Sequence, residues 1–355
     1  MNKYLFIAAL LLLFGCTNEQ QNTDAEVSTT SEVSTKIAPK IITDTLPNDT
    51  DDPAIWVHST DPEQSLILGT DKDSLGGIYA FNLKGRIIPE KTIYPVGRPN
   101  NIDIEYGLQL GDSSTDIAVY TERFAEKIRV ISLPDMKLID GGGIPVFEGE
   151  EPAEFRAPMG ISLYKDSQAK DVYAIVSRKN GPTDSTYLWQ YKLESLDGTT
   201  VAGTLVRKFG AFKPGAEIEA IAVDDDMGVV YYSDEAAGVR KYWAHPDSGN
   251  AQLALFGQED FQEDREGIAV WKTGPNTGFI IVSDQQANRF LLYPREGTDG
   301  NPHQHELAHV WNMSTLKTDG CEVYPGYLSP KFPNGIFVAM SEGKVFHYYG
   351  LVLDH

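Results

Sequence analysis

The run DDPAIW, Asp51–Trp56, followed by LILGTD, Leu66–Asp71, and GIYAFNL, Gly77–Leu83, decides the fold. Polar residues, then alternating apolar ones closing on Trp56, give the first run the pattern of a half-buried β-strand. The phrase then recurs, starting at Asp52 (DPAIWV), Asn100 (NNIDIEY), Met159 (MGISLY), Glu219 (EAIAV), Glu266 (EGIAVW) and Asp319 (DGCEVY). The intervals are 48, 59, 60, 47 and 53 residues, slightly longer than the roughly 40–50 residues of a propeller blade. A unit of this size cannot bury its apolar face alone, so the copies must pack against one another in a closed ring.

Each copy carries further strands. Second runs are LILGTD, DIAVYTER, VYAIVSRK, VVYYSDE, FIIVSDQ and IFVAMSEG; third runs are GIYAFNL, KIRVISL, YLWQYKL, VRKYWA, RFLLYPR and KVFHYYG. Their β-branched and aromatic content, with Gly, Asn, Asp and Pro between them, favours strands over helices. Fourth runs follow at Arg86–Ile93, Thr204–Gly210, Ala251–Gly257 and Glu306–Asn312, but the last copy has none. The unassigned run KIITDTL, Lys40–Leu46, is therefore expected to complete the sixth blade and close the ring, removing exposed edges. The expected fold is all-β: a six-bladed β-propeller with four-stranded blades.

Met1–Cys16 reads as a separate device. Lys3 precedes the apolar run Tyr4–Phe14, which is too short to span a bilayer, and LFGC resembles a bacterial lipoprotein cleavage box. The expectation is an exported protein with lipid on Cys16, at the outer membrane or cell surface, touching membrane through that lipid only. Residues 17–39 are polar and read as a disordered tether, leaving 40–355 as the propeller. Cys321 is the other cysteine, so no disulfide framework is expected and Cys321 reads as a core residue. With a formal net charge of −21 the body is a poor partner for nucleic acid; a monomer is expected.

Four of the six phrases begin with a carboxylate. First strands line a propeller's channel, so Asp52 (with Asp51), Glu219, Glu266 and Asp319 are expected around one mouth. Asn100 and its neighbours would add amide oxygens, with Asp103 and Asp264 close by. Carboxylates forced together raise one another's pKa unless a counter-charge intervenes, and an all-oxygen set suits Ca²⁺ better than zinc. The loops leaving the second strands carry Lys72, Arg123, Arg178 and Lys179 beside Glu122, Asp234, Glu235 and Glu342. Acids mixed with scattered cations suit a metal-bridged anion.

At these residues the chain resembles the β-propeller phytases, calcium-dependent phosphatases of myo-inositol hexakisphosphate. The resemblance rests on DDPAIW, NNIDIEY (Asn100–Tyr106), GISLY (Gly160–Tyr164), EIEAIAVDDDMGVVYYSDE (Glu217–Glu235), REGIAVW (Arg265–Trp271) and TDG…PKFPNGIFVA. It implies several Ca²⁺ ions at the channel mouth, and calcium-bound phytate as the substrate. Two phosphates would lie side by side, and one would be removed by metal-activated water in a 3-phytase type of monoester hydrolysis. It also implies calcium ligation by Asp51, Asp52, Asp103, Glu219, Glu266 and Asp319, to which the residue pattern adds Asn100. The catalytic set it implies is Lys72, Arg123, Glu219 and Asp319. Lys72 and Arg123 would bind the scissile phosphate and Lys179 the anchoring one, with Asn180 and Met159 beside them. Three positions depart from the family pattern: Met159 replaces a tyrosine, Asn180 a glutamate and Asp73 a second lysine.

Two rival readings are a calcium-dependent lactonase or sugar-ester hydrolase propeller, and a non-enzymatic binding propeller at the cell surface. Several Lys and Arg at the mouth favour phosphate over a neutral lactone. The string His303, His305, His309 is expected to be a solvated loop rather than a zinc site. Asp224–Gly228 is expected to be a β-turn. Trp56, Trp189, Trp243 and Trp271 are expected to pack between blades.

Overall fold

A computed structural model describes residues 36–351; the leader and nearly all of the expected tether lie outside them. Antiparallel sheets form six consecutive blades. Their innermost strands are Thr50–Trp56, Pro99–Leu110, Pro158–Lys165, Ile221–Asp224, Arg265–Lys272 and Cys321–Tyr324. The second strands are Leu66–Asp71, Ser113–Glu122, Val172–Arg178, Val229–Asp234, Gly278–Asp284 and Ile336–Ser341. Each recurring phrase thus lies at or beside the start of an innermost strand.

Closure occurs as the spare N-terminal run predicts. Ile41–Ile42 pairs with Val345–Gly350, Ile41 opposite Tyr348 and Ile42 opposite His347, and becomes the outer strand of blade 6. An N-terminal and a C-terminal strand of the described residues are thus zipped into one sheet, so an edge is paired instead of exposed. Ile37 adds a bridge to Met313 of blade 5, accepting from Ser314 N–H and donating to the Asn312 carbonyl.

Two outer edges depart from expectation. In blade 1 the outer strand is Ile93–Val96, later than the predicted 86–93, because Pro89–Lys91 forms a 3-10 turn. In blade 2 the outer edge is shared by two short strands, Lys137–Leu138 and Ile144–Pro145, both paired with Lys127–Leu133.

Six apolar clusters hold the ring, one between each pair of neighbouring blades. Ile117, Val119 and Phe147 of blade 2 meet Leu163, Val176 and Trp189 of blade 3, and Ile67, Phe81, Val338 and Phe346 join blade 1 to blade 6. This is the burial that an isolated blade could not achieve. Trp56, Trp189 and Trp271 lie in these interfaces, whereas Trp243 is 37% exposed and stacks edge-on against His303. Cys321 is a buried free thiol in the blade 5–6 cluster.

Candidate active site

The site grows out of one irregularity repeated around the ring. In four innermost strands the register with the second strand slips at the same place: between Thr50 and Pro53, Pro99 and Ile102, Pro158 and Ile161, and Arg265 and Ile268. A β-bulge places two residues opposite one and re-aims the first of them. The residues so placed are Asp51, Asn100, Met159 and Glu266. Pairing of Ile221 with Tyr232 and of Cys321 with Ala339 sets Glu219 and Asp319 in the same position of blades 4 and 6.

The inner ring at the mouth is therefore Asp51, Asn100, Met159, Glu219, Glu266 and Asp319. This corrects the sequence reading by one residue, because Asp52 is in phase with Asn101, Gly160 and Gly320. Asp52 Oδ2 accepts from Ile102 N–H at 3.0 Å and lines a channel cavity of about 90 Å³ with Asp103 and Glu322. Asp103 also stays in the channel wall, accepting from Ser162 Oγ (2.8 Å) and Leu163 N–H (2.7 Å).

Close approach of the innermost strands gathers the ring. A Cβ on Gly160 would collide with the Glu219 carbonyl, and one on Gly320 with Asp52 and the Asp51 carbonyl. Hydroxyls of the second strands tie three blades to the next: Thr121 Oγ1 donates to Met159 O (2.7 Å), Ser177 Oγ to Ile218 O (2.7 Å) and Ser283 Oγ to Thr318 O (3.1 Å). With its amide nitrogen turned inward, Asn101 reaches the carbonyls of Met159 (3.2 Å) and Glu219 (3.3 Å). The acids thus stand on a braced framework.

Lys72 sits at their centre. Its Nζ is 2.6 Å from Asp51 Oδ1, 3.0 Å from Asp319 Oδ2 and 3.4 Å from Glu219 Oε1. Three carboxylates hold its pKa far above that of an ordinary lysine although burial opposes the charge. Asn100 Nδ2 donates to Asp51 Oδ2 (3.3 Å), and Gln285 Nε2 to Asp319 Oδ1 (2.6 Å). Glu219, Glu235 and Glu266 form a second focus, each with an oxygen within 4.8 Å of the others. Burial first, then repulsion from Glu219 and Glu235, pushes Glu266 well above the carboxylate range, and its Oε2 is buried without a hydrogen-bond partner among the described residues. Burial likewise raises Glu235 to about 7 and Asp319 to about 7.

A second ring surrounds the first, one position past the second strands: Lys72, Arg123, Lys179, Glu235, Gln285 and Glu342. It is polarised, basic on blades 1–3 and acidic or amide on blades 4–6. Arg123 is buried, with Nε 3.4 Å from Pro158 O and its guanidinium against Met159 Sδ. Lys179 is half exposed and pairs with Glu217. Asn180 is exposed, its Oδ1 accepting from Gly181 N–H at 2.9 Å.

Several expected members of the mouth are structural. Arg178 is fully buried, bound to Glu150 (2.7 Å) and to the carbonyls of Tyr187 and Thr186, with its guanidinium over Phe147. Asp234 holds Arg240 and Lys213 N–H; Glu122 holds Arg129. Asp264 accepts from Gln286. Asp224–Gly228 is the turn expected, with Met227 N–H on Asp224. His305 is not solvated: it is 7% exposed, with Nδ1 against Pro294 O (2.8 Å) and Nε2 against Lys241 (3.3 Å). Both ring nitrogens are engaged by the protein.

Glu235 is the member that reading residue by residue placed near the mouth but left out of the metal set. Its signal is its position after Ser233-Asp234, matching Lys72 after Thr70-Asp71.

The family profile described as Phytase matches residues 3–347. A 3-phytase of Bacillus subtilis (strain 168) is 29% identical over 297 residues, covering 81% of this chain and 73% of that one. A candidate 6-phosphogluconolactonase of known structure from Bacteroides uniformis superimposes with TM-score 0.52 at 11% identity, over 84% of this chain and 81% of that one. That likeness concerns the fold alone. With nearly its whole length matched, this chain belongs to the phytase family and is a hydrolase acting on phosphate esters.

Proposed function

We propose that the protein is a calcium-dependent phytase of the 3-phytase type. It would remove phosphate from calcium-loaded myo-inositol hexakisphosphate without a covalent phosphoenzyme. The observation that carries this is the polarised mouth: carboxylates of blades 4–6 and 1 clustered around Lys72, with Arg123 and Lys179 on the basic side of the same ring.

The donor set fits calcium. Asp51, Asn100, Glu219, Glu235, Glu266 and Asp319 offer oxygen ligands, Glu266 Oε2 and Asn100 Oδ1 are buried with no hydrogen-bond partner among the described residues, and flexible coordination by 6–8 oxygens suits such a set. Bound there, Ca²⁺ would neutralise phosphate charge and activate water near neutral pH. The chain's own residues do the rest. Lys72 neutralises Asp51, Glu219 and Asp319 in the ion-free protein, and on loading its ammonium becomes available to a phosphate oxygen. Arg123, seated against Met159 and Pro158, presents a guanidinium from a fixed direction. Lys179, half exposed, can leave Glu217 for the neighbouring phosphate at small cost.

The cationic half of the outer ring disfavours a neutral lactone as substrate. Export and lipid attachment through Cys16 belong to the same proposal, as does action as a monomer. The test is phosphate release from phytate with calcium and after chelation: release should stop in EDTA and return with calcium. Undiminished release in EDTA would overturn the calcium mechanism.

A further inference from the structure

We infer that Arg98 is a phosphate-binding residue that pairs with Arg123 to grasp a substrate phosphate on the blade 1–2 side of the mouth. This rests on the phosphate-hydrolase reading above and names a residue which neither the repeats nor the family resemblance singled out.

Arg98 lies in the short link between blade 1 and blade 2, just before the innermost strand that begins at Pro99. Its backbone is left-handed, φ 58°, a conformation that favours glycine or asparagine and costs an arginine energy. Main-chain bonds hold it there from both sides. Its N–H donates to Asp73 O (2.9 Å), in the loop that carries Lys72, and its carbonyl accepts from Arg123 N–H (3.0 Å). The preceding Gly97 is held similarly, accepting from Phe124 N–H (3.2 Å) and donating to Glu122 Oε1 (3.3 Å). The link is thus clamped between the two loops that supply the cations of blades 1 and 2.

The side chain has no such partner. Arg98 is half-buried, yet its guanidinium makes no hydrogen bond or ion pair among the described residues, and Arg123 has no carboxylate within ion-pair distance there either. Lys72 and Lys179 are both paired directly with acids, whereas these two arginines of the basic half feel carboxylates only at longer range. They also feel each other: after burial, the charge of Arg98 is the largest influence lowering the pKa of Arg123. Like charges held together by the backbone, neither of them in contact with a carboxylate among the described residues, are stabilised by an anion. Guanidinium forks match the geometry of phosphate oxygens. Asp73 stands beside Lys72 where a second cation would be useful, and Arg98, bonded to that residue's carbonyl, supplies the charge from the adjoining link.

The test is calorimetric titration of inorganic phosphate into the calcium-loaded full-length protein, beside phytate kinetics, for wild type, R98Q and R98K. R98Q should weaken phosphate binding about tenfold or more, as expected for losing charge-assisted hydrogen bonds. It should raise KM for phytate, leave calcium uptake unchanged, and be partly rescued in R98K. Equal phosphate affinity in wild type and R98Q, or no phosphate binding by wild type, would overturn the assignment. Phosphate binding that depends on Arg98 in a protein unable to hydrolyse phytate would instead overturn the phytase reading while leaving Arg98 in place.

Discussion

Asp51 and Asp52 are neighbours in the chain that serve different compartments. Asp51 Oδ1 is 2.6 Å from Lys72 Nζ at the mouth, while Asp52 Oδ2 binds Ile102 N–H in the channel wall. The bulge between Thr50 and Pro53 separates them.

That separation predicts unequal effects of two similar substitutions. D51N should weaken calcium binding about tenfold or more, having removed a charge from the mouth, with turnover of phytate falling in step. D52N should change calcium affinity at the mouth far less. Calorimetric calcium titration of both variants decides, and equal losses would contradict the separation.

Lys72 predicts a stability effect that calcium reverses. K72M leaves Asp51, Glu219 and Asp319 without their ammonium, and breaking a buried ion pair by removing one partner costs about 3–5 kcal/mol. Thermal melts in EDTA should show a large drop in Tm for K72M. Saturating calcium should narrow the gap to wild type, while phytate hydrolysis stays impaired.

The raised acids predict a pH dependence. Glu235 and Asp319, at about 7, bind protons more tightly in the ion-free fold than in the unfolded chain, where carboxyls titrate near about 4. The native state therefore holds more protons between about pH 4 and 7. The stability these groups contribute is full below that window and is lost as pH rises through it. Calcium must displace the same protons, so its apparent affinity should rise from about pH 5.5 to 8, with proton release greatest below 7. Titrations in buffers of different ionisation enthalpy measure that release directly.

Gly160 predicts a packing effect transmitted to the site. In G160A a methyl group would meet the Glu219 carbonyl, forcing the innermost strands of blades 3 and 4 apart. Expected are a lower Tm and weaker calcium uptake, against little change for alanine at the exposed Gly142, where no atom lies within 4 Å of the added Cβ, beyond the strain of its φ of 109°.

Much of this was legible from residues alone. Alternation, the spacing of the repeats and the spare run at Lys40–Leu46 carry the six blades and their closure, because strand periodicity and edge pairing are local or countable properties. Glu219, Glu266 and Asp319 were legible as a convergent set for the same reason. Arg178 and His305 were misplaced because burial is decided by what packs over a residue. Arg178 lies beneath Phe147 and Glu150, and His305 between Lys241 and Pro294.

The chain by itself determined the ring, its number of blades and the acidic character of one mouth, since these follow from a repeat that must bury its faces. Only the tertiary structure decided which of two adjacent aspartates faces that mouth, that Glu235 joins Glu219 and Glu266, and that Arg98 stands beside Arg123 with no ion pair among the described residues. A bulge of one residue turns a side chain from one compartment to another, and a contact between blades joins residues dozens of positions apart. Neither leaves a mark in the local alternation from which strands are read.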